Sequence, residues 1–186
     1  MSKTAAIILS SPRKGSNSGA LGRAIAEGFA QAGGQADIID LSGLDIKPCL
    51  GCAHCQRNGG KCSQIDGMHT VYPKIIAASV LVLATPVYWF TMCGQMKVFL
   101  DRCFAVAVGE KVAFADKTIA AAFSFGALDL DSSGARNAIK IFQDICRHTR
   151  ATWGGFVSAS GPDRDAFVKN EAILRPAREL GQTLMG

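Results

Sequence analysis

Four of the seven cysteines in this 186-residue chain lie close together, in the segment CLGCAHCQRNGGKC at positions 49–62. Three follow one another at three-residue intervals, and six residues separate the third from the fourth. Thiolates at such spacing could hold an iron–sulfur cluster or a zinc ion, pair as disulfides, or stay free as reactive thiols. Structural zinc sites more often use two separated CxxC pairs, so the spacing favours the compact ligand run of a [4Fe–4S] cluster over zinc. The four residues are Cys49, Cys52, Cys55 and Cys62.

A second group of polar residues forms the segment SSPRKGSNS at positions 10–18, directly before a helical pattern. Unpaired N–H groups and the dipole at a helix N-terminus attract anions, and Gly15 lets a ligand approach the backbone. The patterns GxxxxGK[ST] and GxGxxG are both absent, so the segment predicts a site for a single phosphate group. An ordinary capping loop, with Ser16 or Asn17 as the N-cap, is the alternative. The expected phosphate ligands are Ser10, Arg13, Ser16, Asn17 and Ser18.

A third segment, PVYW at positions 86–89, places a rigid turn and two aromatic rings after the most apolar predicted strand. The rings could flank a flat ligand, and backbone N–H groups of residues 87–89 could donate to its polar edge. A core plug or a subunit contact is the alternative for two such aromatic residues. The three histidines show no pairing with serine or aspartate that would suggest a hydrolase triad, so we expect no catalytic histidine.

The elements that position these segments are short apolar runs alternating with helical patterns, which indicates parallel strands buried on both faces. We therefore predict one α/β domain over residues 1–186, a flavodoxin-like doubly wound sheet of five parallel strands in the order 2-1-3-4-5 with helices on both faces. Ligands in such sheets lie at the switch point, beyond the carboxyl ends of strands 1 and 3. The cysteine segment is an insertion at about 47–66, after strand 2. The predicted strands are 4–9, 36–41, 79–84, 118–125 and 152–158. The predicted helices begin near residues 17, 66, 92 and 135, and residues 109–117 form a connector. A last helix is predicted at the C-terminus, where Pro176 should kink or divide it.

The composition limits the classes of protein to consider. Hydrophobic residues make up 48% of the chain and charged residues 19%, which is typical of a folded domain and not of a disordered one. The apolar runs are too short to span a membrane, and no secretory signal is evident, so we expect a cytoplasmic location. The odd number of cysteines disfavours a disulfide framework. The net charge of +5 is spread along the chain without a basic block, which argues against nucleic-acid binding.

The segments ILSSPRKGSNS and TPVYWFTMCGQMKVFLDR (85–102) together resemble the flavodoxin-like, NADPH-dependent FMN reductase family. The resemblance extends over nearly the whole chain, to RELGQTL at 178–184. It implies that residues 10–18 bind the phosphate of FMN and that the turn after strand 3 contacts the flavin ring, whose reduced form is stabilised by donors near N1. The end of strand 4 would offer a third contact by its position in the fold. The expected contacts of the flavin ring are Pro86, Val87, Tyr88, Trp89, Ser124 and Gly126.

The cysteine segment resembles the iron–sulfur flavoproteins, a branch of the same family with a compact cysteine motif after strand 2. The resemblance implies that Cys49, Cys52, Cys55 and Cys62 hold a [4Fe–4S] cluster. Cluster-free relatives also carry cysteines here, so a flexible loop of free thiols at the mouth of the flavin site is the alternative. The sequence departs from the family in having Asp66 followed by glycine, where relatives often have two aspartates before methionine.

The resemblance implies an NAD(P)H-dependent oxidoreductase of the flavin or quinone type. NAD(P)H would deliver a hydride to flavin N5, and the electrons would pass in a ping-pong scheme to a small-molecule or protein acceptor. The flavin carries this chemistry, so we expect no catalytic acid, base or nucleophile. An iron–sulfur flavoprotein electron carrier without its own NAD(P)H turnover is the alternative. Relatives are commonly dimers or tetramers, so we expect a homodimer or homotetramer without nucleic acid or membrane partners.

Overall fold

The computed structural model of the protein describes residues 3–107 and 113–186. Five parallel strands form its central sheet in the order β2-β1-β3-β5-β6, and a two-residue strand, β4, pairs antiparallel with the end of β3. The predicted flavodoxin-like sheet is confirmed: the fourth and fifth predicted strands are β5 and β6, and β4 is an addition that the sequence did not predict. The strands are β1 (Thr4–Leu9), β2 (Gln35–Asp40), β3 (Val80–Tyr88), β4 (Thr91–Met92), β5 (Thr118–Phe125) and β6 (Thr152–Ser160).

The long helices agree with the sequence periodicity, whereas two short helices, α2 and α5, were not predicted. Helix α7 is continuous and includes Pro176, so the proline does not divide it. The predicted connector at 109–117 lies partly outside the described residues, and positions 113–116 form a turn. The helices are α1 (Asn17–Gln31), α2 (His54–Arg57), α3 (Met68–Ala77), α4 (Gly94–Ala107), α5 (Leu130–Ser133), α6 (Ala135–Thr149) and α7 (Glu171–Thr183).

Alternate residues of the central strands face two different apolar cores, as the pleat of a strand requires. Ile7 and Val82 pack with α1 and α7 on one face of the sheet, whereas Ile8 and Leu83 pack with α3, α4 and α6 on the other. Because β1 and β3 are buried on both faces, their sequences are continuous apolar runs. Their polar neighbours are therefore confined to the strand ends, where the candidate site lies.

Helix α1 carries the predicted phosphate loop at its N-terminus, and its position is set by backbone contact with α7. A Cβ atom on Gly28 would lie 2.0 Å from the carbonyl oxygen of Arg178, and one on Gly181 would lie 2.1 Å from that of Ile25. Both glycines are therefore required for the two helices to approach this closely. Within the described ranges, no helix is long and apolar enough to cross a membrane.

Candidate functional site

A cavity of about 180 Å³ lies at the carboxyl ends of the strands, where the order of the sheet reverses. We call it the switch-point cavity. The three loops that the sequence singled out converge on it, and a fourth loop, after β6, completes its wall. Its lining residues are Ser11, Arg13, Ser16, Asn17, Pro86, Val87, Tyr88, Ser124, Phe125, Gly126 and residues 161–164.

The loop after β1 presents the N-terminus of α1 to this cavity. Ser16 is the N-cap, and its side-chain oxygen accepts a hydrogen bond from Gly19 N at 3.2 Å. Gly15 has a φ of +65°, a left-handed conformation that glycine adopts without strain. The first turn of α1 contains no acidic residue, so no carboxylate of the helix itself offsets the positive end of its dipole. The Arg13 guanidinium lies 6.0 Å from the centre of the Tyr88 ring, which adds a cation to the same wall.

Three of the predicted phosphate ligands have other roles or positions. Ser10 is fully buried, and its hydroxyl donates to Ala84 O at 3.0 Å, which ties β1 to β3 instead of facing the cavity. The Asn17 side chain lines the cavity but donates to Asp163 O at 2.7 Å and accepts from Phe167 N at 3.1 Å. Asn17 therefore holds the fourth loop in place.

Ser18 is also fully buried and does not line the cavity. Its hydroxyl has no hydrogen-bond partner among the described residues. Buried hydroxyls rarely stay unpaired, so this one is free to accept or donate at the N-terminus of α1. Of the predicted phosphate ligands, Arg13, Ser16 and Asn17 line the cavity; the Ser16 oxygen accepts from Gly19 N, which leaves its O–H available as a donor.

The second loop is a two-residue hairpin between β3 and β4, in which Tyr88 pairs with Thr91. Trp89 and Phe90 occupy its two central positions with φ values of +47° and +67°. Positive φ at both positions is the requirement of a type I′ turn, which normally uses Asn-Gly, so two aromatic residues here are strained. Trp89 is 91% exposed and does not line the cavity, so its contact with a flavin ring stays a prediction.

Residues at the start of α6 contact this strained turn. The side-chain amide of Asn137 donates to Phe90 O at 3.0 Å. Gly134, with a φ of +76°, packs so closely that a Cβ atom would lie 2.5 Å from the Phe90 Cα. Helix α6 therefore determines where the turn after β3 lies relative to the cavity.

The wall after β5 includes the predicted Ser124 and Gly126, and the loop after β6 was missed by the sequence analysis. Gly161 N donates to Phe125 O at 2.9 Å, which joins the two loops. The turn sequence GPDR (161–164) directly after the fifth predicted strand was the available signal, because every carboxyl end of a parallel sheet opens on the same edge.

All four clustered cysteines line a second cavity, of about 310 Å³, which we call the cysteine cavity. Cys49 and Cys52 are exposed, whereas Cys55 and Cys62 are half-buried, and all four are free thiols. A backbone hydrogen bond at His54 and the nearby Ser63 hydroxyl lower the pKa of Cys52, which favours its thiolate. No three cysteine, histidine or acidic side chains in residues 3–107 and 113–186 are already gathered as a metal site.

The cysteine segment is fixed to α4 by a buried ion pair between Arg102 and Asp66, whose side chains are each 1% exposed. Burial acts to raise the pKa of Asp66, but hydrogen bonds from Arg102 and from the backbone of Lys47 and Met68 hold it below its usual value. Arg102 Nη1 also donates to Lys47 O at 2.7 Å. Arg102 therefore connects both ends of the inserted segment, at Lys47 and Asp66, to α4.

The sequence and the structure both match known proteins. A sequence model of the NADPH-dependent FMN reductase family matches residues 4–165. An iron–sulfur flavoprotein of Methanocaldococcus jannaschii is 31% identical over 102 residues, 55% of this chain and 52% of that protein. One of Methanosarcina thermophila is 32% identical over 119 residues, 64% of this chain and 61% of that protein. The chain thus spans about half the length of the curated relatives it matches.

A solved structure of similar fold is that of NAD(P)H:quinone oxidoreductase from Methanothermobacter marburgensis. It superposes with a TM-score of 0.74 over 98% of each chain at 18% sequence identity. At this identity the likeness concerns the fold, which is flavodoxin-like in both proteins.

Proposed function

The chain belongs to the NADPH-dependent FMN reductase family, and on that basis we propose that it binds FMN and acts as an NAD(P)H-dependent oxidoreductase. The observation that carries the proposal is the convergence of the three sequence-predicted loops on the switch-point cavity. The N-terminus of α1, which would attract a phosphate group, and the end of β3 at Pro86 and Val87 form two sides of one cavity. That combination suits a ligand with an anionic end and a flat aromatic end.

The phosphate of FMN would lie at the N-terminus of α1. Arg13 would supply a charge-assisted hydrogen bond, and Ser16, which also lines the cavity, would supply a neutral one. The absence of acidic residues in the first turn of α1 leaves this end of the helix attractive to a dianion. Asn17 would act indirectly, because its amide positions the loop at 161–167.

The ring of FMN would lie against the end of β3 at Pro86, Val87 and Tyr88, with Ser124 and Gly126 opposite. FMN, when bound, supplies hydride acceptance from NAD(P)H and onward transfer of the electrons. Pro86 and Val87 would offer an apolar surface to a flat ligand on one side, and Ser124 would offer a hydroxyl on the other. Trp89, exposed beside this wall, is a candidate platform for a flat acceptor.

Titration of the purified protein with FMN and with riboflavin tests this assignment. Arg13→Gln should weaken FMN binding about 10- to 100-fold, because a hydrogen bond to a charged group contributes about 1.5–3 kcal/mol, and should barely change riboflavin binding. Lys14→Gln is the matched control, since Lys14 is the adjacent cation but does not line the cavity. NAD(P)H should then bleach the flavin absorbance anaerobically. Equal FMN affinity in both variants would contradict the proposed phosphate site.

We further propose that the cysteine cavity holds a [4Fe–4S] cluster, which would make the protein an iron–sulfur flavoprotein. Four cysteine thiols opening onto one cavity are the donor set that such a cluster requires, and the curated relatives described above carry that name. The left-handed residues Gly51 and Ala53 curl the backbone around the cavity. The thiols would have to converge further on binding, because they are not yet gathered as a metal site in the described residues.

Anaerobic purification followed by iron and sulfide analysis tests this second proposal. The protein should contain about four iron and four sulfide per chain. Cys52→Ser should abolish both while FMN binding persists, and Cys146→Ala, a buried cysteine outside the cavity, should change neither. Full iron in a Cys52→Ser/Cys55→Ser double variant, or zinc without sulfide, would refute the cluster. We also propose a homodimer or homotetramer, which light scattering of the purified protein would measure.

A further inference from the structure

Arg102 is a fully buried cation at the wall of the cysteine cavity. It lies on α4, the helix that begins at Gly94, directly after the hairpin at the switch-point cavity. Among the described residues that line the cysteine cavity, Arg102 is the one with a positive charge. Four thiolates around that cavity would make it strongly negative, so a fixed cation there has an electrostatic consequence for anything the thiols hold.

Four of the five N–H groups of the Arg102 guanidinium donate hydrogen bonds. Both terminal nitrogens donate to the Asp66 carboxylate, and Nη1 also donates to Lys47 O. Nη2 reaches the sulfur of Cys62 at 3.4 Å, which is a charge-assisted contact to one of the four thiols. The Nε–H is buried and has no partner in the part of the chain that the structure describes.

An unpaired buried guanidinium N–H is rare in folded proteins, because no hydrogen bond offsets the free energy lost when the group is removed from water. Here the unpaired donor belongs to a residue that lines a cavity with four thiols. A guest with acceptor atoms and negative charge would satisfy it. The sulfur atoms of a thiolate-ligated cluster are such acceptors, and hydrogen bonds to them are among the groups that set a cluster's reduction potential.

We propose that Arg102 is a positioning residue for the cluster, fixing Cys62 through the Nη2 contact and offering Nε–H as a donor to cluster sulfur, and that it thereby raises the reduction potential. The inference rests on the proposed cluster function. The direction follows from charge: reduction adds an electron to an already negative group, and a nearby cation with N–H donors stabilises the reduced form more than the oxidised one. Asp66 orients the guanidinium and fixes its plane.

The experiment compares reduction potentials in anaerobically reconstituted holoprotein by redox titration, followed in visible absorbance and electron paramagnetic resonance. Arg102→Gln alone would leave Asp66 as an unpaired buried carboxylate, so the test variant is Asp66→Asn/Arg102→Gln, which removes both charges together. A matched control is Asp131→Asn/Arg136→Gln, an exposed ion pair away from the cavity. Circular dichroism and FMN titration establish that each variant is folded.

The double variant should hold its iron but show a lower potential, because the guanidinium it loses contacts Cys62 and lines the cavity, whereas the carboxylate it loses does not line the cavity. At a fixed applied potential its ratio of reduced to oxidised cluster should fall about tenfold, which corresponds to about 59 mV for one electron. Its iron should also pass to a chelator several-fold faster. The potential of Arg102→Lys should lie between those of the double variant and the wild type, because lysine keeps the positive charge but lacks the planar set of N–H donors of arginine. The exposed control pair should leave both measurements unchanged.

A potential and an iron-release rate equal to those of the wild type would overturn the role of Arg102 and leave the cluster assignment intact. A wild-type protein that takes up no iron and sulfide would overturn the cluster assignment, and this inference with it. If the double variant fails to fold, Arg102→Lys in the otherwise unchanged chain carries the test. It should then show a lower potential and faster iron release than the wild type, and equality in both would refute the proposal.

Discussion

Replacing Gly134 by alanine should weaken both folding stability and FMN binding, although Gly134 does not line the switch-point cavity. An added Cβ would lie 2.5 Å from the Phe90 Cα and 2.6 Å from the Phe90 carbonyl oxygen. Both contacts are with backbone atoms or their direct substituents, which cannot move aside as a flexible side chain would. The overlap must therefore displace the turn after β3, and Tyr88 at the cavity wall with it.

The magnitude has two parts. Alanine at a φ of +76° costs about 1 kcal/mol in backbone strain, and the overlap with Phe90 costs about 1–3 kcal/mol more. A total of about 3 kcal/mol would lower the thermal midpoint of a domain of this size by about 6–12 °C. Displacement of the turn should weaken FMN binding about tenfold, equivalent to about 1.4 kcal/mol.

Gly33→Ala is the matched control, because Gly33 also has a positive φ, +93°, but an added Cβ would meet no described atom within 4 Å. It should show the strain alone, about 1 kcal/mol, with unchanged FMN affinity. Thermal unfolding by circular dichroism and fluorescence titration with FMN measure the two effects separately. If Gly134→Ala lowers stability no more than Gly33→Ala and binds FMN normally, the turn is not held by α6 as described.

Three further predictions concern other contacts. Asn17→Ala should cost about 2–3 kcal/mol in chemical denaturation and weaken FMN binding, because two hydrogen bonds to the loop at 161–167 are lost; unchanged affinity would mean that this loop is not part of the site. Phe90→Gly should raise the thermal midpoint by about 2–4 °C by relieving strain in the type I′ turn, and a lower midpoint would refute that strain. The lowered pKa of Asp66 means that its pairing with Arg102 stabilises the fold above the unfolded pKa of about 3.9, and that this stability is lost as the pH falls through the folded value. Thermal midpoints measured from about pH 7 downwards should therefore fall in the wild type and stay flatter in Asp66→Asn.

The sequence by itself predicted the sheet and three of the four loops that line the switch-point cavity. Residues 5–9 of β1 and 80–84 of β3 are buried on both faces, so both runs are apolar without interruption, and the polar residues Ser10 and Thr85 follow them directly. Helix periodicity and the alternation of elements then fix a parallel sheet, and the ligand edge of such a sheet follows from its topology. The loops at 10–18 and 85–92 could be assigned for this reason alone.

The roles of individual polar residues within those loops could not be predicted in the same way. Ser10 and Asn17 look like phosphate ligands in the sequence, yet their partners are Ala84, Asp163 and Phe167, which lie 74 to 150 positions away. Local sequence contains no information on which distant group will satisfy a polar side chain. The left-handed turn at Trp89 and Phe90 could not be predicted from the sequence either. Such turns normally use Asn-Gly, and here the contact with α6 holds two aromatic residues in that conformation.

For the cysteine segment, too, one part could be predicted from the sequence and another part only from the tertiary structure. Its spacing was sufficient to suggest a ligand set, since residues three apart in a tight loop can share one cavity, and in the structure all four thiols do so. Arg102 is forty positions from Cys62, and only the tertiary structure brings its guanidinium to that sulfur and leaves its buried Nε–H without a partner among the described residues. Sequence spacing determines which thiols can act together, whereas the electrostatic environment around them comes from long-range packing of α4 against the segment.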